Sequence, residues 1–292
     1  MTADAAGQTF TGSGGQRIFW RTWLPQQDPR AVVLIAHGFG EHSGRYEHVA
    51  DRLVAEQLAV YALDHQGHGR SSGSRALISL PAAVRDLDWL VSLAQERHPD
   101  APRFLLGHSM GGAIALRYAL AHQDRLAGLI LSGPLVQVEG RAVAKTFGRL
   151  LGAIAPNLPV ARLDPKLVSR DPAVVEAYER DPLVHHGPLP AGTAASFLRH
   201  AATLPDAVSQ ITLPTLLLWG TADKLCAPAG SEMVASRIGS ADLIAVPYEG
   251  LYHEILNEPE QDQVLDEICG WITARLAGAQ SMSPSSSKRE PL

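Results

Sequence analysis

Short apolar runs and amphipathic stretches alternate along the first part of the chain. Residues 31–36 read AVVLIA, a continuous apolar run typical of a strand that is buried on both faces. Residues 80–96 instead repeat their apolar positions with helical spacing, which places those side chains on one face of a helix. This alternation predicts a mainly parallel sheet with helices on both faces. The predicted strands are 16–24, paired with 9–15, then 31–36, 58–63, 104–106 and 126–131, and the predicted helices are 46–56, 80–96 and 112–121.

The alternation stops after Ser132-Gly133-Pro134. Between residues 135 and 210 the chain shows helical pieces separated by prolines and no convincing strand, so we expect an insertion into the sheet domain. The strand pattern returns at 215–219 and 243–246, and a helix over 261–276 closes the fold. The predicted division is a first core part at 1–134, an inserted cap at 135–210, a second core part at 211–279 and a serine-rich, disordered tail at 280–292.

Composition and charge narrow the range of functions. Hydrophobic residues make up 46% of the chain and charged residues 19%, as in a packed globular protein. A formal net charge of -5 builds no broad basic face, so we expect no nucleic-acid binding. The two cysteines, Cys226 and Cys269, fit a reducing compartment. Because the sequence shows neither a secretory signal nor a long apolar run, we expect a cytoplasmic protein with at most peripheral membrane contact.

A Gly-x-Ser-x-Gly pattern occupies residues 107–111, between a predicted strand and a predicted helix. A strand-to-helix turn this tight crowds the backbone, which explains why Gly107 and Gly111 stand two positions from the central Ser109. Such a turn exposes the serine hydroxyl above the edge of the sheet. The pattern by itself is weak, but its place between strand and helix identifies Ser109 as a candidate nucleophile.

A serine hydroxyl is a weak nucleophile near neutral pH and needs a histidine base that a carboxylate orients. Asp223 follows the strand at 215–219, and His253 follows the strand at 243–246. Both positions lie where ligands meet the carboxyl edge of an open sheet. Taken singly, Asp223 could cap a helix and His253 could be an ordinary surface histidine. Their order after Ser109 predicts a catalytic triad.

The segment His37-Gly38-Phe39-Gly40 follows the strand at 31–36. This is the position from which such a fold supplies one half of an oxyanion hole, the other half coming from the residue after the nucleophile. The sequence therefore predicts that the backbone amides of Phe39 and Met110 bind the oxyanion. The alternative is a simple glycine turn.

Twelve histidines raise the question of a metal site. The candidates are His65 with His68, and the neighbours His185 and His186, but neither set has the spacing of a zinc site. We interpret them as hydrogen-bonded loop residues and expect neither a metal nor another cofactor. Asp64 also ends a strand, but it precedes Ser109 in the chain, so we assign it a structural role.

One stretch of the insertion, residues 142–155, is amphipathic. An apolar helical face with a cationic rim is typical of a helix that lies on a lipid surface. The alternative is that the apolar stripe packs over the active site as a lid. The apolar side carries Val143, Phe147, Leu150, Leu151 and Ile154, and the other side carries Arg141, Lys145 and Arg149.

Taken together, these blocks resemble the α/β-hydrolase superfamily and, more closely, the bacterial, actinobacterial-type members of its monoacylglycerol lipase family. The resemblance implies an eight-stranded, mostly parallel sheet flanked by helices, with an inserted helical cap. It also implies hydrolysis of monoacylglycerol, or a related lipid ester, to fatty acid and glycerol without a cofactor. The matching blocks are HGFGEHSGRYEHVA at 37–50, DHQGHGRSSG at 64–73, GHSMGG at 107–112, SRDPAVVEAYERDPLVHHG at 169–187, GTADKLCAP at 220–228 and GLYHEILNEP at 250–259.

Position by position, the resemblance implies Ser109 as nucleophile, Asp223 as acid and His253 as base, with Phe39 and Met110 at the oxyanion hole. Some relatives carry a smaller residue where this chain has Phe39, which implies a narrower acyl pocket.

The resemblance also makes Glu41, Arg45 and Tyr46 weaker candidates for binding the glycerol end of the substrate. The alternative for these three is that they anchor the loop through salt bridges. Cys226 stands where the family can carry a thiol near the site, which implies sensitivity to thiol reagents, whereas its other interpretation is a small buried residue.

Other functions remain compatible with the same residues. A broader carboxylesterase or a lysophospholipase would keep the triad and differ in the cap and the pocket. A non-catalytic binding protein of this fold would tolerate the loss of triad members, but this chain has all three.

Overall fold

A computed structural model describes residues 7–138 and 151–281 of the chain. Its main sheet is built from β1 (Gln8–Thr11), β2 (Arg17–Trp23), β3 (Ala31–Ala36), β4 (Leu58–Leu63), β5 (Arg103–His108), β6 (Gly128–Ser132), β9 (Thr215–Gly220) and β10 (Leu243–Tyr248). The spatial order is β1-β2-β4-β3-β5-β6-β9-β10. Only the pairs made by β2 are antiparallel. The prediction of a mostly parallel, eight-stranded sheet is confirmed.

Seven helices lie entirely within the described ranges: α1 (Glu47–Ala55), α2 (Leu80–Arg97), α3 (Met110–His122), α4 (Pro172–Arg180), α5 (Ala191–Ala207), α6 (Pro228–Arg237) and α7 (Gln261–Ser281). Residues 151–154 are also helical. Helix α6 was not predicted. It buries Gly230, Ser231 and Val234, so small residues take the place of the apolar stripe by which a helix is recognised in a sequence. Helix α7 runs five residues beyond its predicted end at 276.

Strand β3 shows how the sheet is covered on both faces. Val32 and Leu34 pack into the apolar cluster that contains residues of α2 and α3, whereas Val33 and Ile35 pack into the cluster of α1 and α7. All six residues of the strand are buried. Because successive side chains of a strand point to opposite faces, a strand covered on both sides must be apolar throughout. The carboxyl edge of the sheet is left for the polar residues of a site.

The segment between β6 and β9 contains two short strands, β7 (Pro159–Ala161) and β8 (Leu189–Pro190), which pair antiparallel. Our expectation that no strand occurs between 135 and 210 was wrong. Each strand has at most three residues and contains a proline, so neither shows an alternating pattern. The predicted amphipathic helix lies mostly outside the described residues, as does the tail from 282 onward.

Two hydrogen bonds join this inserted segment to the loop that follows β3. The imidazole of His42 donates from Nε2 to Asp181 at 2.9 Å, and the amide of His185 donates to the carbonyl oxygen of Gly40 at 2.7 Å. The insertion is thereby held over the carboxyl edge of the sheet. Within 7–138 and 151–281, no helix is both long and apolar enough to cross a bilayer.

Candidate active site

Ser109 occupies the turn between the end of β5 and the start of α3. Its backbone has φ 54° and ψ -117°, in the positive-φ region that a serine rarely adopts. Such a conformation persists only where the surroundings hold it. The amide of Ser109 donates to the carbonyl oxygen of Ser132 at 3.0 Å, and its own carbonyl oxygen accepts the amide of Leu135 at 2.9 Å. The end of β6 and the residues that follow it therefore hold the strained turn in place.

The two glycines of the pattern are required by close backbone contacts. A Cβ on Gly107 would overlap the carbonyl oxygen of Gly111. A Cβ on Gly111 would overlap the carbonyl oxygen of Ala36, the last residue of β3. Any side chain at either position would push α3 away from the sheet. These contacts are the steric requirement that the Gly-x-Ser-x-Gly pattern predicts.

Asp223 and His253 meet above the ends of β9 and β10. The imidazole of His253 lies with Nδ1 at 2.7 Å from Oδ2 of Asp223. An ionised carboxylate only accepts hydrogen bonds, so Nδ1 is the donor and Nε2 is left as the basic nitrogen. The other oxygen of Asp223 accepts the amides of Leu225 at 2.8 Å and Cys226 at 2.9 Å. Both side chains of the pair are buried.

The two groups stabilise each other's charged forms. Burial alone would raise the pKa of Asp223, but His253 and the amides of Cys226 and Leu225 outweigh burial and lower that pKa. Burial alone would lower the pKa of His253, but the charge and hydrogen bond of Asp223, with smaller contributions from Glu254 and Glu41, raise it. The result is a more basic histidine with a fixed orientation.

Ser109, Asp223 and His253 line one cavity of about 570 Å³. The hydroxyl of Ser109 contacts the thiol of Cys226 at 3.8 Å and makes no hydrogen bond to His253 within the described part of the chain. Hydrogen bonds of this kind are often long in a free enzyme and shorten when substrate binds. The structure therefore brings the three predicted residues into one cavity, with the base and its carboxylate already paired.

The cavity is apolar over much of its wall. Its volume falls within the range of small-molecule sites. Residues of the sheet domain and of the inserted segment both contribute to it, so the insertion helps to decide what can enter. The apolar lining includes Phe39, Leu135, Leu163, Val168, Leu189 and Phe197.

Phe39 and Met110, the predicted oxyanion-hole residues, also line this cavity. Met110 is the first residue of α3, where free backbone amides point outward. The preceding Gly38 passes so close to Ser109 that a Cβ on Gly38 would lie 3.2 Å from Cβ of that serine. The ring of Phe39 packs edge-on against Phe197, with centroids 6.2 Å apart. Its side chain thus forms a wall where the core and the inserted segment meet.

Of the three weaker candidates, only Glu41 lines the cavity. Arg45 and Tyr46 lie behind it. The hydroxyl of Tyr46 donates to Glu41 at 2.7 Å, and Arg45 donates to Glu41 at 3.0 Å and to Glu254 at 2.6 and 2.7 Å. Glu254 also lines the cavity but was not predicted, because its link to Arg45 joins residues that are far apart in the chain.

The histidines considered as metal ligands are otherwise engaged. His68, His185 and His186 each make a hydrogen bond to a backbone carbonyl oxygen, at 3.0 to 3.1 Å. The ring of His65 makes no hydrogen bond in the described ranges and packs instead against His37, with centroids 4.4 Å apart. Across residues 7–138 and 151–281, no three metal-ligating side chains come together.

The carboxylate of Asp64 is buried and accepts three hydrogen bonds. The amide of Ser43 donates at 2.8 Å, the hydroxyl of Ser43 at 2.6 Å and the amide of Arg70 at 2.8 Å. These contacts tie the loop after β4 to the loop after β3. They support the structural role that chain order suggested.

Comparison with known proteins gives concordant matches. Residues 27–260 match the family described as serine aminopeptidase, S33. The chain is 46% identical over 279 residues to the monoacylglycerol lipase of Mycolicibacterium smegmatis, covering 94% of this chain and 100% of that protein. It is 38% identical over 281 residues to the monoglyceride lipase of Mus musculus, covering 94% of this chain and 93% of that protein. Among solved structures, the monoacylglycerol lipase of Paleococcus ferrophilus has a TM-score of 0.81 at 31% identity, covering 88% of this chain and 99% of that chain.

Proposed function

The chain belongs to the serine aminopeptidase S33 family of α/β-hydrolases and, within it, to the monoacylglycerol lipases, and we propose that it hydrolyses monoacylglycerol to fatty acid and glycerol through Ser109, Asp223 and His253. The observation that carries the proposal is the buried Asp223–His253 pair, which shares a cavity with a serine on a strained turn. The apolar wall of the cavity suits an acyl chain.

In the first half of the reaction, Nε2 of His253 takes the proton from Ser109 as the serine oxygen attacks the ester carbonyl carbon. Asp223 remains ionised and stabilises the imidazolium that forms. The amides of Phe39 and Met110 donate to the carbonyl oxygen as it becomes negatively charged. When the tetrahedral intermediate collapses, the bond to the glycerol oxygen breaks, and His253 gives its proton to that oxygen.

In the second half, a water molecule replaces glycerol. His253 takes a proton from the water as it attacks the acyl carbon, and the second tetrahedral intermediate releases the fatty acid and restores the serine hydroxyl. Every proton passes through Nε2 of His253. No metal or other cofactor is needed for either half.

For the glycerol end of the substrate, we assign Glu41 as the contacting residue among the three candidates. Glu41 lines the cavity, whereas Arg45 and Tyr46 donate hydrogen bonds to Glu41 from behind it and do not line the cavity themselves. The acyl chain then lies along the apolar wall of Phe197, Leu135 and Leu189.

We further assign peripheral contact with a lipid surface to the inserted segment. Four large apolar side chains are exposed there: Ile154 (74%), Leu158 (44%), Val160 (43%) and Leu163 (45%). Leu163 also lines the cavity, so the exposed apolar residues belong to the segment that borders the candidate site. Exposed apolar patches of this kind are typical of lipid and protein contacts.

This contact is tested by sedimentation with phosphatidylcholine vesicles that contain monooleoylglycerol. We expect the double variant Ile154→Ser, Leu158→Ser to sediment less than the wild type while hydrolysing a dissolved short-chain ester equally well. The matched control is Leu24→Ser, which removes an apolar side chain exposed to 38% elsewhere on the surface. Equal sedimentation of the double variant and the wild type would refute the assignment.

The function itself is tested by turnover of purified protein on monooleoylglycerol, dioleoylglycerol, a lysophosphatidylcholine and a p-nitrophenyl ester of butyrate. The blank is Ser109→Ala, which should retain its fold and lose both turnover and labelling by a fluorophosphonate. Preference for monooleoylglycerol supports the proposal. Turnover of the short ester alone would indicate a carboxylesterase and not a lipase. Residual turnover by Ser109→Ala would show that Ser109 is not the nucleophile.

A further inference from the structure

Two loops supply the reacting groups of the proposed mechanism. The oxyanion loop, residues 37–46, follows β3 and carries Phe39, and the histidine loop, residues 249–258, follows β10 and carries His253. Strand β10 is at the edge of the sheet, and β5, β6 and β9 separate it from β3. Sheet hydrogen bonds therefore do not join these loops directly. Contacts between side chains supply the direct link between them.

Arg45 makes that connection. Its two terminal nitrogens, Nη1 and Nη2, donate to the two oxygens of Glu254 at 2.6 and 2.7 Å, in the parallel arrangement that gives such a pair its directionality. Nη1 also donates to Glu41 at 3.0 Å. The three side chains are between 4 and 11% exposed, so solvent screens these interactions little.

Glu41 carries the connection to the backbone of the oxyanion loop. Its Oε1 accepts the amide of Gly38 at 2.5 Å and the hydroxyl of Tyr46 at 2.7 Å. Gly38 directly precedes Phe39, whose amide faces the developing oxyanion in the proposed mechanism. A carboxylate that holds the amide of Gly38 thus limits how the next peptide can turn.

We propose that Glu254, Arg45 and Glu41 form a buried clamp that positions the oxyanion loop against the histidine loop and places negative charge beside the imidazole of His253. The clamp rests on the proposed function, because it acts through residues of that mechanism. Arg45 and Glu254 are positioning residues.

The geometry argues against direct substrate binding by Arg45. Both terminal nitrogens are engaged with carboxylates, and the guanidinium lies over the ring of Tyr178 at 4.9 Å from its centroid. Arg45 is absent from the lining of the cavity among the described residues. A glycerol hydroxyl would have to displace a buried ion pair to reach it.

The clamp also has an electrostatic consequence. With two carboxylates and one guanidinium it carries a net charge of about -1, and Glu254 and Glu41 both raise the pKa of His253. Two other titratable groups face His253: Asp223 is hydrogen-bonded to it, and the ring centroid of His108 lies 4.7 Å away. Lys224, Cys226 and Tyr178 line the same cavity. Removing the charge of Glu254 should therefore make His253 less basic.

Two variants separate position from charge. Glu254→Gln removes one negative charge and weakens the bond to Arg45, so we expect kcat to fall on the order of 10²-fold, KM to change little, and the acid limb of the kcat/KM profile to move to lower pH. Arg45→Lys keeps the positive charge but loses the bidentate hydrogen bonding to Glu254. We expect a similar loss of kcat with the acid limb near its wild-type position.

The matched control is Arg52→Gln, which breaks an exposed ion pair with Glu56 and Asp266 and should leave kcat and the pH profile unchanged. Thermal unfolding identifies variants that do not fold. If Glu254→Gln is one of them, Tyr46→Phe provides the test, because it removes only the hydroxyl that donates to Glu41; we expect a several-fold loss of kcat.

A folded Glu254→Gln protein with wild-type kcat and an unmoved acid limb would overturn the clamp. A change confined to KM would also overturn the clamp, because an effect on KM alone would indicate that Glu254 contacts the substrate. All variants are measured on both p-nitrophenyl butyrate and monooleoylglycerol. If the wild type hydrolyses only the short ester, the proposed lipid substrate is wrong. The kinetics of the variants on the short ester still test the clamp in that case.

Discussion

The Nδ1 atom of His253 lies 2.7 Å from Oδ2 of Asp223, although 30 residues and the whole of β10 separate the two in the chain. The carboxylate is held from its other side by two backbone amides. The ring of the histidine is thus oriented before any substrate arrives, and its second nitrogen is left free to act as a base.

Replacing Asp223 with asparagine tests this relationship at almost constant volume. The amide oxygen of asparagine can still accept the backbone amides of Leu225 and Cys226, so we expect the fold to survive. It cannot hold the required tautomer of His253, and kcat should fall about 10⁴-fold. Steady-state kinetics and a thermal melt measure the two effects. A loss of kcat of less than tenfold would show that Asp223 does not have the proposed role in catalysis.

The raised pKa of His253 sets the direction of the pH dependence. The base must be unprotonated to accept the proton of Ser109, so kcat/KM should fall as the pH drops through the pKa of His253. Because that pKa lies above the ordinary histidine value, the fall should be centred above pH ~6.5. A pH profile on a short-chain ester measures it. An acid limb centred below that value would contradict the proposed environment of the imidazole.

The same pair affects stability in opposite pH ranges. The pKa of His253 is raised on folding, so its contribution is fully present below the unfolded pKa and is lost as the pH rises through the folded one. The pKa of Asp223 is lowered on folding, so its contribution is present above the unfolded value and is lost as the pH falls through the folded value. Urea unfolding of Ser109→Ala from pH 3 to 9, compared with Asp223→Asn, measures both.

Gly111→Ala should destabilise the protein strongly. The added Cβ would overlap the carbonyl oxygen of Ala36, a backbone atom that cannot turn aside as the end of a flexible side chain can. We expect a loss of about 3 kcal/mol or more in the free energy of unfolding. The matched control is Gly270→Ala in the middle of α7, where a Cβ would meet nothing within 4 Å. There we expect a gain of about 0.5 to 1 kcal/mol, and equal effects at the two sites would refute the steric argument.

Cys226 should react slowly with maleimides at neutral pH, contrary to the sensitivity that the family resemblance implied. Burial and the charge of Asp223 raise the pKa of its thiol, so little of the reactive thiolate is present. Mass spectrometry after exposure to N-ethylmaleimide measures the rate against a free thiol. Rapid inactivation at pH 7 that Cys226→Ala abolishes would show that the thiol is reactive.

Asp64→Ala should unfold at a lower denaturant concentration than the wild type. The substitution leaves the amides of Ser43 and Arg70 without their buried acceptor. We expect a loss of about 3 kcal/mol, measured by urea unfolding, with little change in kcat per folded molecule. A large loss of kcat without a loss of stability would give Asp64 a part in the reaction instead.

The fold was largely predictable because its core strands are short and apolar. Strand β3 was predicted with the ends it has, since a strand buried on both faces leaves a pattern within the strand itself. Strands β7 and β8 left no such pattern in the sequence, because the pairing of so few residues depends on the partner strand and not on the residues themselves. Helix α6 was missed for a related reason: it buries small residues against its neighbours.

The candidate site divides in the same way. The glycines two positions before and after Ser109 form a local pattern, because the tight turn requires them for steric reasons. The order of Asp223 and His253 in the chain follows the order of the strands that precede them. Glu254 could not be assigned from the sequence. Its partner, Arg45, stands 209 positions away, and no spacing rule relates two such residues.

The sequence by itself thus determined the mostly parallel sheet and the tight turn around Ser109, because each depends on residues close together in the chain. It also determined the chain order of the candidate triad, because that order follows the order of the strands. Tertiary structure alone decided that Arg45 lies behind the cavity, engaged with Glu41 and Glu254, and that the thiol of Cys226 contacts Ser109. Those contacts join loops from distant strand ends, and only the packing of the whole sheet sets how far apart such loops lie.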